Sequence, residues 1–484
     1  MPRLSDLLGQ TSVMPDPEIA GLTADSRKVA PGFLFAALSG SKADGSSFIP
    51  DAITRGAVAV LAPEGISIPT AGITLVTATE PRRLFARMAS RFYGIQPAIM
   101  TAVTGTNGKT STASFLRQIW THLGHRAASL GTLGITAPGW QDKGGLTTPD
   151  TVALHDALAR LASQGVTHAC MEASSHGLDQ HRLDGVALQA GGFTNLTRDH
   201  LDYHHDMAAY GAAKLRLFRD LIPQGGCAVV NADSDFAGAV IEASTRRGLK
   251  VLTFGRAGSD LRLVRTRPSP AGQDLDLQVL GRDVTIPLPL AGDFQAANVL
   301  CALGLAIACG ADADQAISAC AYLEGVPGRL EKIAQKANGA AVFVDYAHTP
   351  DALETVLKAL RPHAVNKLTV VFGCGGDRDP GKRPQMGHIA ATFADKVVVT
   401  DDNPRTENPD SIRTQILAAC PGAEEIDDRA TAIRHAIDGL DAGDVLVIAG
   451  KGHETGQIVG STIHPFDDGD IARRAVADNG ENRA

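Results

Sequence analysis

Residues 99–111 read Ile-Met-Thr-Ala-Val-Thr-Gly-Thr-Asn-Gly-Lys-Thr-Ser, and no other stretch restricts the fold as much. The apolar run Ile99–Val103 predicts a strand buried on both faces, and the periodic stretch Thr112–Leu123 predicts a helix. A strand delivered into a helix through so short a loop implies a βαβ crossover and a parallel sheet. The loop also aims consecutive backbone N–H groups and a helix N-terminus at one point, where phosphate oxygens bind well. Gly105, Thr106, Asn107, Gly108, Lys109, Thr110 and Ser111 are therefore candidate nucleotide contacts, Lys109 for the β- and γ-phosphates and Thr110 for Mg2+. The spacing G-x-x-G-K-T is shorter than the common P-loop, whose first glycine would fall at Val103, so a structural turn is the competing reading.

The rest of the chain carries the same alternation. Strand signals at Val166–Met171, Ala190–Thr194 and Cys227–Val230 are separated by helical stretches, and Ala296–Cys309 predicts a long apolar helix. Between Val251 and Leu290 the period shifts toward two (Leu261, Leu263; Leu275, Leu277, Val279), which predicts an antiparallel side-sheet. Further strands are expected at Ala341–Val344, Leu368–Phe372, Val397–Thr400 and Val445–Ala449. Gly and Pro punctuate near Gly94–Pro97 and Gly325–Gly328. The 484 residues thus read as an α/β chain of three domains, 1–97, 98–326 and 327–484. The first is α/β. The second is P-loop ATPase-like, mostly parallel with an antiparallel side-sheet, and the third is Rossmann-like without a G-x-G-x-x-G fingerprint.

Composition narrows the function. A net charge of −8 lacks the footprint of a nonspecific nucleic-acid binder or a polybasic membrane anchor. Seven cysteines without a C-x-x-C pair argue against disulfide scaffolding and structural zinc. Asp6 interrupts what would be the core of a signal peptide, and the longest apolar run, Val299–Cys309, is well short of the ~18 residues of a membrane span. A cytoplasmic enzyme with no membrane span and no nucleic-acid partner is the expectation.

Three further places carry chemistry. Glu172 stands at the carboxyl end of a strand, where a carboxylate can hold Mg2+; a helix cap built on the following serines is the alternative. The stretch Arg198-Asp199-His200-Leu201-Asp202-Tyr203-His204-His205 gathers carboxylates and imidazoles. Its spacing suits no helical zinc pair, which leaves one His joining an oxygen-rich Mg2+ site or a surface cluster. Lys214, inside the amphipathic run Tyr210–Phe218, reads by itself as an ordinary helix lysine.

Taken in order, TGTNGKTS (104–111), EASSHGLDQHR (172–182), NLTRDHLDYH (195–204), YGAAKLRLF (210–218), Pro327-Gly328-Arg329-Leu330-Glu331 and Asp345-Tyr346-Ala347-His348-Thr349-Pro350 resemble the Mur ligase family. The resemblance covers essentially the whole chain and implies an ATP-dependent amide ligase of peptidoglycan precursor synthesis. Thr23-Ala24-Asp25-Ser26-Arg27, Gly40-Ser41-Lys42-Ala43-Asp44-Gly45 and Asp402-Asn403-Pro404-Arg405 resemble the members that add meso-2,6-diaminopimelate to UDP-N-acetylmuramoyl-L-alanyl-D-glutamate. Arginine suits the extra carboxylate that lysine lacks.

By that resemblance Thr110 and Glu172 hold one Mg2+, and Glu172, His200 and Lys214 serve a second, with Lys214 carboxylated by CO2 to a carbamate. The first domain would bind uridine through Ala24, Ser26, Ser41, Lys42 and Ala43, and Thr147, Thr148, Ser174, Gln180 and Arg182 would lie nearer the peptide. Asn298 would contact adenine, and Arg329 and Asp345, with Tyr346 and His348, would approach ATP on closure. Arg378, Asp402, Asn403, Pro404, Arg405, Gly450 and Glu454 would bind diaminopimelate in the third domain. Ser41-Lys42, Leu146 and Gln295 depart from the family pattern. A monomer is expected. The rivals are a folylpolyglutamate synthetase and a nucleotide-sensing P-loop protein without turnover.

Overall fold

The strand Ile99–Thr104 lies inside a sheet of eleven strands, flanked in parallel by Leu188–Phe193 and His168–Glu172. Beyond these, Cys227–Asn231 and Lys250–Gly255 continue the parallel order on one side and Ala127–Gly131 on the other. Strands covered on both faces must be apolar throughout, and Met100, Ala102, Val103, Cys170 and Met171 are all fully buried. The sheet belongs to a computed structural model that describes residues 1–11, 13–40, 44–68, 72–142, 145–269 and 272–481.

Each of the three sequence segments carries one such layer. Gly21–Thr23, Phe33–Ala36, Ala57–Pro63 and Thr74–Ala78 form a four-stranded parallel sheet. Ala341–Asp345, Val445–Ala449, Leu368–Phe372 and Lys396–Val399 are the parallel middle of a six-stranded sheet, with Glu331–Gln335 antiparallel at one edge. By packing, the chain divides into two compact units: Met1–Leu263, Leu277–Val284 and Ala297–Cys320, and then Val264–Asp276, Thr285–Ala296 and Ala321–Ala484. In the second unit Arg429 and Asp468 form a fully buried bidentate pair, with both N···O distances 2.7 Å. The guanidinium also donates to Ala449 O (3.0 Å) and Asp401 O (3.4 Å), which helps offset the cost of burying the pair. Among the described residues no helix is long and apolar enough to cross a membrane.

Several expectations need correction. The helix after the loop begins at Lys109, not Thr112, because Gly108 takes a left-handed conformation (φ 86°) and serves as its N-cap. The long apolar helix begins at Asp293 rather than Ala296. The Lys214 helix runs Met207–Arg216, opened by Asp206 accepting from Ala209 N, and passes into a π turn at Leu217–Leu221. The side-sheet Leu261–Ser269, Gly272–Val279 and Arg282–Leu288 joins the main sheet through a parallel pair, Phe254 with Leu261. Its last two strands meet at Leu280-Gly281, both with positive φ, the geometry of a two-residue hairpin. An antiparallel extension at the opposite edge, Gly134–Ala137 and Trp140–Asp142, has strands too short for a periodic signal.

Candidate active site

The loop after Ile99–Thr104 is built from close approaches that only glycine allows. A Cβ on Gly105 (φ 151°) would lie 1.9 Å from Thr194 Oγ1, and one on Gly108 would lie 2.3 Å from Asn298 Oδ1. Neighbouring segments hold the loop in place. Thr106 Oγ1 accepts from Thr197 N (2.9 Å) and lies 3.1 Å from the Tyr210 hydroxyl. Asn107 N donates to Asn195 Oδ1 (2.9 Å), and Thr194 Oγ1 donates to Asn107 O (2.6 Å). Ser111 is buried in the first helical turn and Thr110 is half-buried beside it.

Two ammonium groups meet at this loop. Lys109 Nζ donates to Gly105 O (3.0 Å) and Thr106 O (2.8 Å), and Lys214 Nζ donates to the same Gly105 O at 2.7 Å. Lys214 is 1% exposed, and its Nζ sits 4.4 Å from the centre of the Tyr210 ring. Burial, with Lys109 adding like-charge repulsion, pushes the Lys214 ammonium well below the ordinary lysine range. Burial also pushes the Tyr210 phenol up to about 12, so it remains a hydroxyl.

Glu172 ends the adjacent strand, paired with Val103, at the same edge of the sheet as the loop. It is 2% exposed, and Oε1 accepts from Thr132 N (2.8 Å) and Oε2 from Thr132 Oγ1 (3.3 Å). Among the described residues it takes part in no ion pair. A buried carboxylate satisfied only by neutral donors suits a cation. Lys214 as an amine is a donor, or at most a lone-pair ligand; as a carbamate it would supply two oxygens. With Thr110, the donor set then fits Mg2+.

Thr148 Oγ1 donates to Glu172 O (2.7 Å) and accepts from Ser174 N (3.0 Å). Arg182 donates to Thr148 O (2.6 Å) and Gln180 Oε1 (2.7 Å), and Thr147 Oγ1 lies 3.1 Å from Thr132 Oγ1. Gln180 and Arg182 also line a cleft of about 550 Å3 together with Ala24 and Asp25. Ser26 is buried. Ser41, Lys42 and Ala43 lie outside the described residues.

His200 has a left-handed backbone (φ 53°), pairs with Asp199 (3.5 Å) and sets its ring edge-on to His176, 5.0 Å between centres. Tyr203 and His204 pack on the same His176 ring. Among the described residues no three His, Cys, Asp or Glu side chains are grouped so as to hold a metal ion.

The second unit carries its own cluster. Asn403 Oδ1 accepts from Lys451 Nζ (3.1 Å) and Ile458 N (2.9 Å), and its Nδ2 donates to Glu454 Oε2 (2.9 Å). Lys451, fully buried, also donates to Glu454 Oε2 (3.1 Å) and Gly456 O (2.6 Å). Arg405 is held at φ 52° and donates to Gly376 O (2.8 Å). A Cβ on Gly375 would meet Arg405 Nη1 at 2.8 Å and Arg378 Cγ at 3.8 Å, so both arginines border one glycine. Arg378 is exposed, and Pro404 is buried with its carbonyl against Gly376. Gly450 (φ 114°) leaves room for Asp402, whose Oδ2 would stand 2.7 Å from a Cβ there. Asp345 accepts from Leu330 N (2.6 Å) and Ala347 N (2.7 Å), and burial raises its carboxyl to about 6 against the pull of Arg329. The Arg329 guanidinium stacks 4.8 Å from the Tyr346 ring, which also meets the His348 ring at 4.7 Å.

Sequence reasoning missed four members of these networks. Gly131 and Thr132 seat Glu172, and the doublet Gly131-Thr132 within a GTLG stretch was the only signal. Tyr210 opens the YGAAK motif, and Lys451 stands inside GKGHE, yet neither had a local pattern to mark its partner.

Three family models match successive stretches of the chain. A model of the Mur ligase family catalytic domain matches residues 18–93, one of the Mur ligase middle domain matches 103–306, and one of the Mur ligase glutamate ligase domain matches 328–452. The UDP-N-acetylmuramoyl-L-alanyl-D-glutamate–2,6-diaminopimelate ligase of Caulobacter vibrioides is 55% identical over 96% of this chain and 97% of its own length. The ligase of the same description from Bradyrhizobium diazoefficiens is 52% identical over 98% and 99%. A solved structure of a ligase so described superposes with a TM-score of 0.73 at 36% identity, covering 96% of this chain and 95% of that one.

Proposed function

The chain belongs to the Mur ligase family, and on that premise we propose that it is the ATP-dependent ligase that joins meso-2,6-diaminopimelate to UDP-N-acetylmuramoyl-L-alanyl-D-glutamate. The observation that carries the reading is the meeting of Lys109, Lys214 and the loop carbonyl of Gly105 beside the buried carboxylate of Glu172. A phosphate-binding turn and a cation site then share one end of the sheet.

The chemistry follows from what a carboxylate lacks. The γ-carboxylate of the D-glutamyl residue is a poor acyl donor, so one of its oxygens takes the γ-phosphoryl group of ATP and ADP leaves. The amine of diaminopimelate attacks the resulting acyl phosphate. A C–N bond forms, the C–O bond to phosphate breaks, and the amine gives up a proton. Phosphoryl transfer depends on position and charge neutralisation. The backbone N–H groups of residues 105–111 orient the phosphates, and Lys109 turns from the loop carbonyls toward them. Asn298, against Gly108, contacts adenine. Thr110, Glu172, His200 and carboxylated Lys214 hold Mg2+, which when bound offsets the charge gathered between phosphate and carboxylate. Burial, which lowers the Lys214 pKa, eases loss of the ammonium proton; the amine then adds to CO2, a C–N bond forms, and loss of a second proton leaves the carbamate.

Ala24, Ser26, Ser41, Lys42 and Ala43 take the uridine end of the substrate in the segment 1–97. Thr147, Thr148, Ser174, Gln180 and Arg182, within 98–326, take its peptide end; the hydrogen bonds linking Arg182, Thr148 and Glu172 support that order. In 327–484, Arg329 and Asp345 contact ATP. Arg405 and Arg378 fork onto the distal carboxylate of diaminopimelate, while Asp402, Asn403, Pro404, Gly450 and Glu454 hold its amino-acid end. Seven free cysteines support the reducing cytoplasm as its compartment. The test is ADP release with UDP-N-acetylmuramoyl-L-alanyl-D-glutamate and either diamino acid. Diaminopimelate should drive turnover, and faster turnover with lysine would overturn the specificity.

A further inference from the structure

Away from the loop, the first unit holds a cleft of about 380 Å3 bordered by Arg83, Arg87, Arg216, Arg219 and Arg247. The other lining residues are Glu80, His181 and Asp220, so every group facing the cleft is charged or titratable. The arginines come from three elements: the helix Pro81–Tyr93, the end of Met207–Arg216 with its π turn, and the helix Ala237–Arg247. Beneath them, the buried Asp184 carboxylate pairs with Arg216 (3.1 Å) and Arg83 (3.4 Å). Arg219 pairs with Asp220 (2.9 Å) and Arg83 with Glu80 (2.9 Å).

Five guanidiniums against the three carboxylates Glu80, Asp184 and Asp220 leave an excess of two positive charges, in a chain whose net charge is −8. Among the described residues neither Arg87 nor Arg247 takes part in an ion pair; Arg247 donates only to Ile222 O (3.1 Å). Arg83 and Arg87 stand one helical turn apart, where like charges repel and weaken the helix.

We propose that this cleft binds a compact oligophosphate, a ligand that presents two or more adjacent phosphate groups. A guanidinium forks onto two phosphate oxygens at once, and guanidiniums arriving from three elements serve more than one anionic centre. The exposed Arg219–Asp220 and Arg83–Glu80 pairs contribute little to stability, so phosphate replaces Asp220 at Arg219 and Glu80 at Arg83 at low cost, while the buried Asp184 keeps Arg83 and Arg216 in place. Adjacent phosphates occur free in solution or on a lipid surface, and the two sources separate experimentally.

Titration calorimetry of inorganic tripolyphosphate into the full chain, with the loop first saturated by a non-hydrolysable ATP analogue and Mg2+, tests the site. The expected result is one tripolyphosphate per chain, bound less tightly as salt rises and weakened at least about tenfold by Arg87→Glu with Arg247→Glu. Basal ADP release should not change. Arg87→Gln with Arg247→Gln removes the charge without reversing it and serves if the first variant fails to fold. Equal affinity in wild type and variants, or no binding at all, overturns the proposal. Co-sedimentation of the wild type with phosphatidylglycerol vesicles, lost in the variant and without binding of free tripolyphosphate, overturns it in favour of a membrane surface.

Discussion

Gly131→Ala displaces the carboxylate of Glu172 while leaving that side chain chemically intact. Gly131 is the last residue of the strand Ala127–Gly131 and has an ordinary backbone conformation, so alanine is tolerated there on torsional grounds. Its Cβ would lie 2.0 Å from Glu172 Oε1, 2.5 Å from Cδ and 2.6 Å from Cγ. Ordinary contact begins near 3.4 Å, so Oε1 must withdraw by 3.4 − 2.0, or 1.4 Å, and the 2.8 Å bond from Thr132 N is lost or remade. Displacement of a catalytic group by ~1 Å costs about 100-fold in rate, which corresponds to ~2.7 kcal/mol of barrier. Overpacking adds about 1–3 kcal/mol of instability, a shift of a few degrees in melting temperature that leaves the protein folded at 25 °C. The assay is steady-state ADP release against Mg2+ concentration, with a thermal melt alongside. The expected outcome is a kcat/KM near one hundredth of wild type and a higher Mg2+ requirement. Nucleotide binding without metal should be unchanged. Wild-type turnover with an unaltered Mg2+ dependence would refute the claim that this buried carboxylate positions the cation.

Three further outcomes are expected. In CO2-depleted buffer ADP release should fall and return with bicarbonate, and 13C-bicarbonate should give a carbamate resonance that Lys214→Arg abolishes; full activity without CO2 and no such resonance would refute the carbamate. Arg405→Lys keeps the charge but loses the fork, so kcat/KM for diaminopimelate should drop about 10- to 100-fold, the loss of one charge-assisted bond, while lysine turnover changes little; parallel losses for both amino acids would contradict the specificity role. His155 is buried, with Nε2 lacking a hydrogen-bond partner, and burial lowers its pKa to about 4 from 6.5. The unfolded chain therefore takes up the proton first, so stability is complete above pH 6.5 and falls by ~1.4 kcal/mol per pH unit as the pH drops toward 4. Between pH 7.5 and pH 5, urea unfolding should show a loss about 2 kcal/mol larger in wild type than in His155→Leu, and equal losses would count against it.

Local signals were enough wherever strand, turn and helix follow one another along the chain. The buried strand entering at Ile99, the glycines that let the loop approach its neighbours, and the four parallel strands of the last segment all follow from apolar runs and punctuation. Period and turn chemistry act over a few residues, so sequence carries them. Helix starts were displaced where a loop conformation intervened, as at Gly108, because a left-handed N-cap is decided by what packs on the loop. The motif order also carried the resemblance to a ligase family, since spacing along the chain is all that a motif needs.

Tertiary structure alone decided the electrostatics. Lys214 is an ordinary helix lysine until the fold buries it beside Lys109 on one carbonyl oxygen, 109 residues away in sequence from Gly105. Glu172 becomes a seated, unpaired carboxylate only because Gly131 and Thr132 come up against it from another strand. The same holds for the five arginines converging from three elements. Desolvation and charge–charge terms depend on distance and burial, and those quantities exist only once the chain has folded.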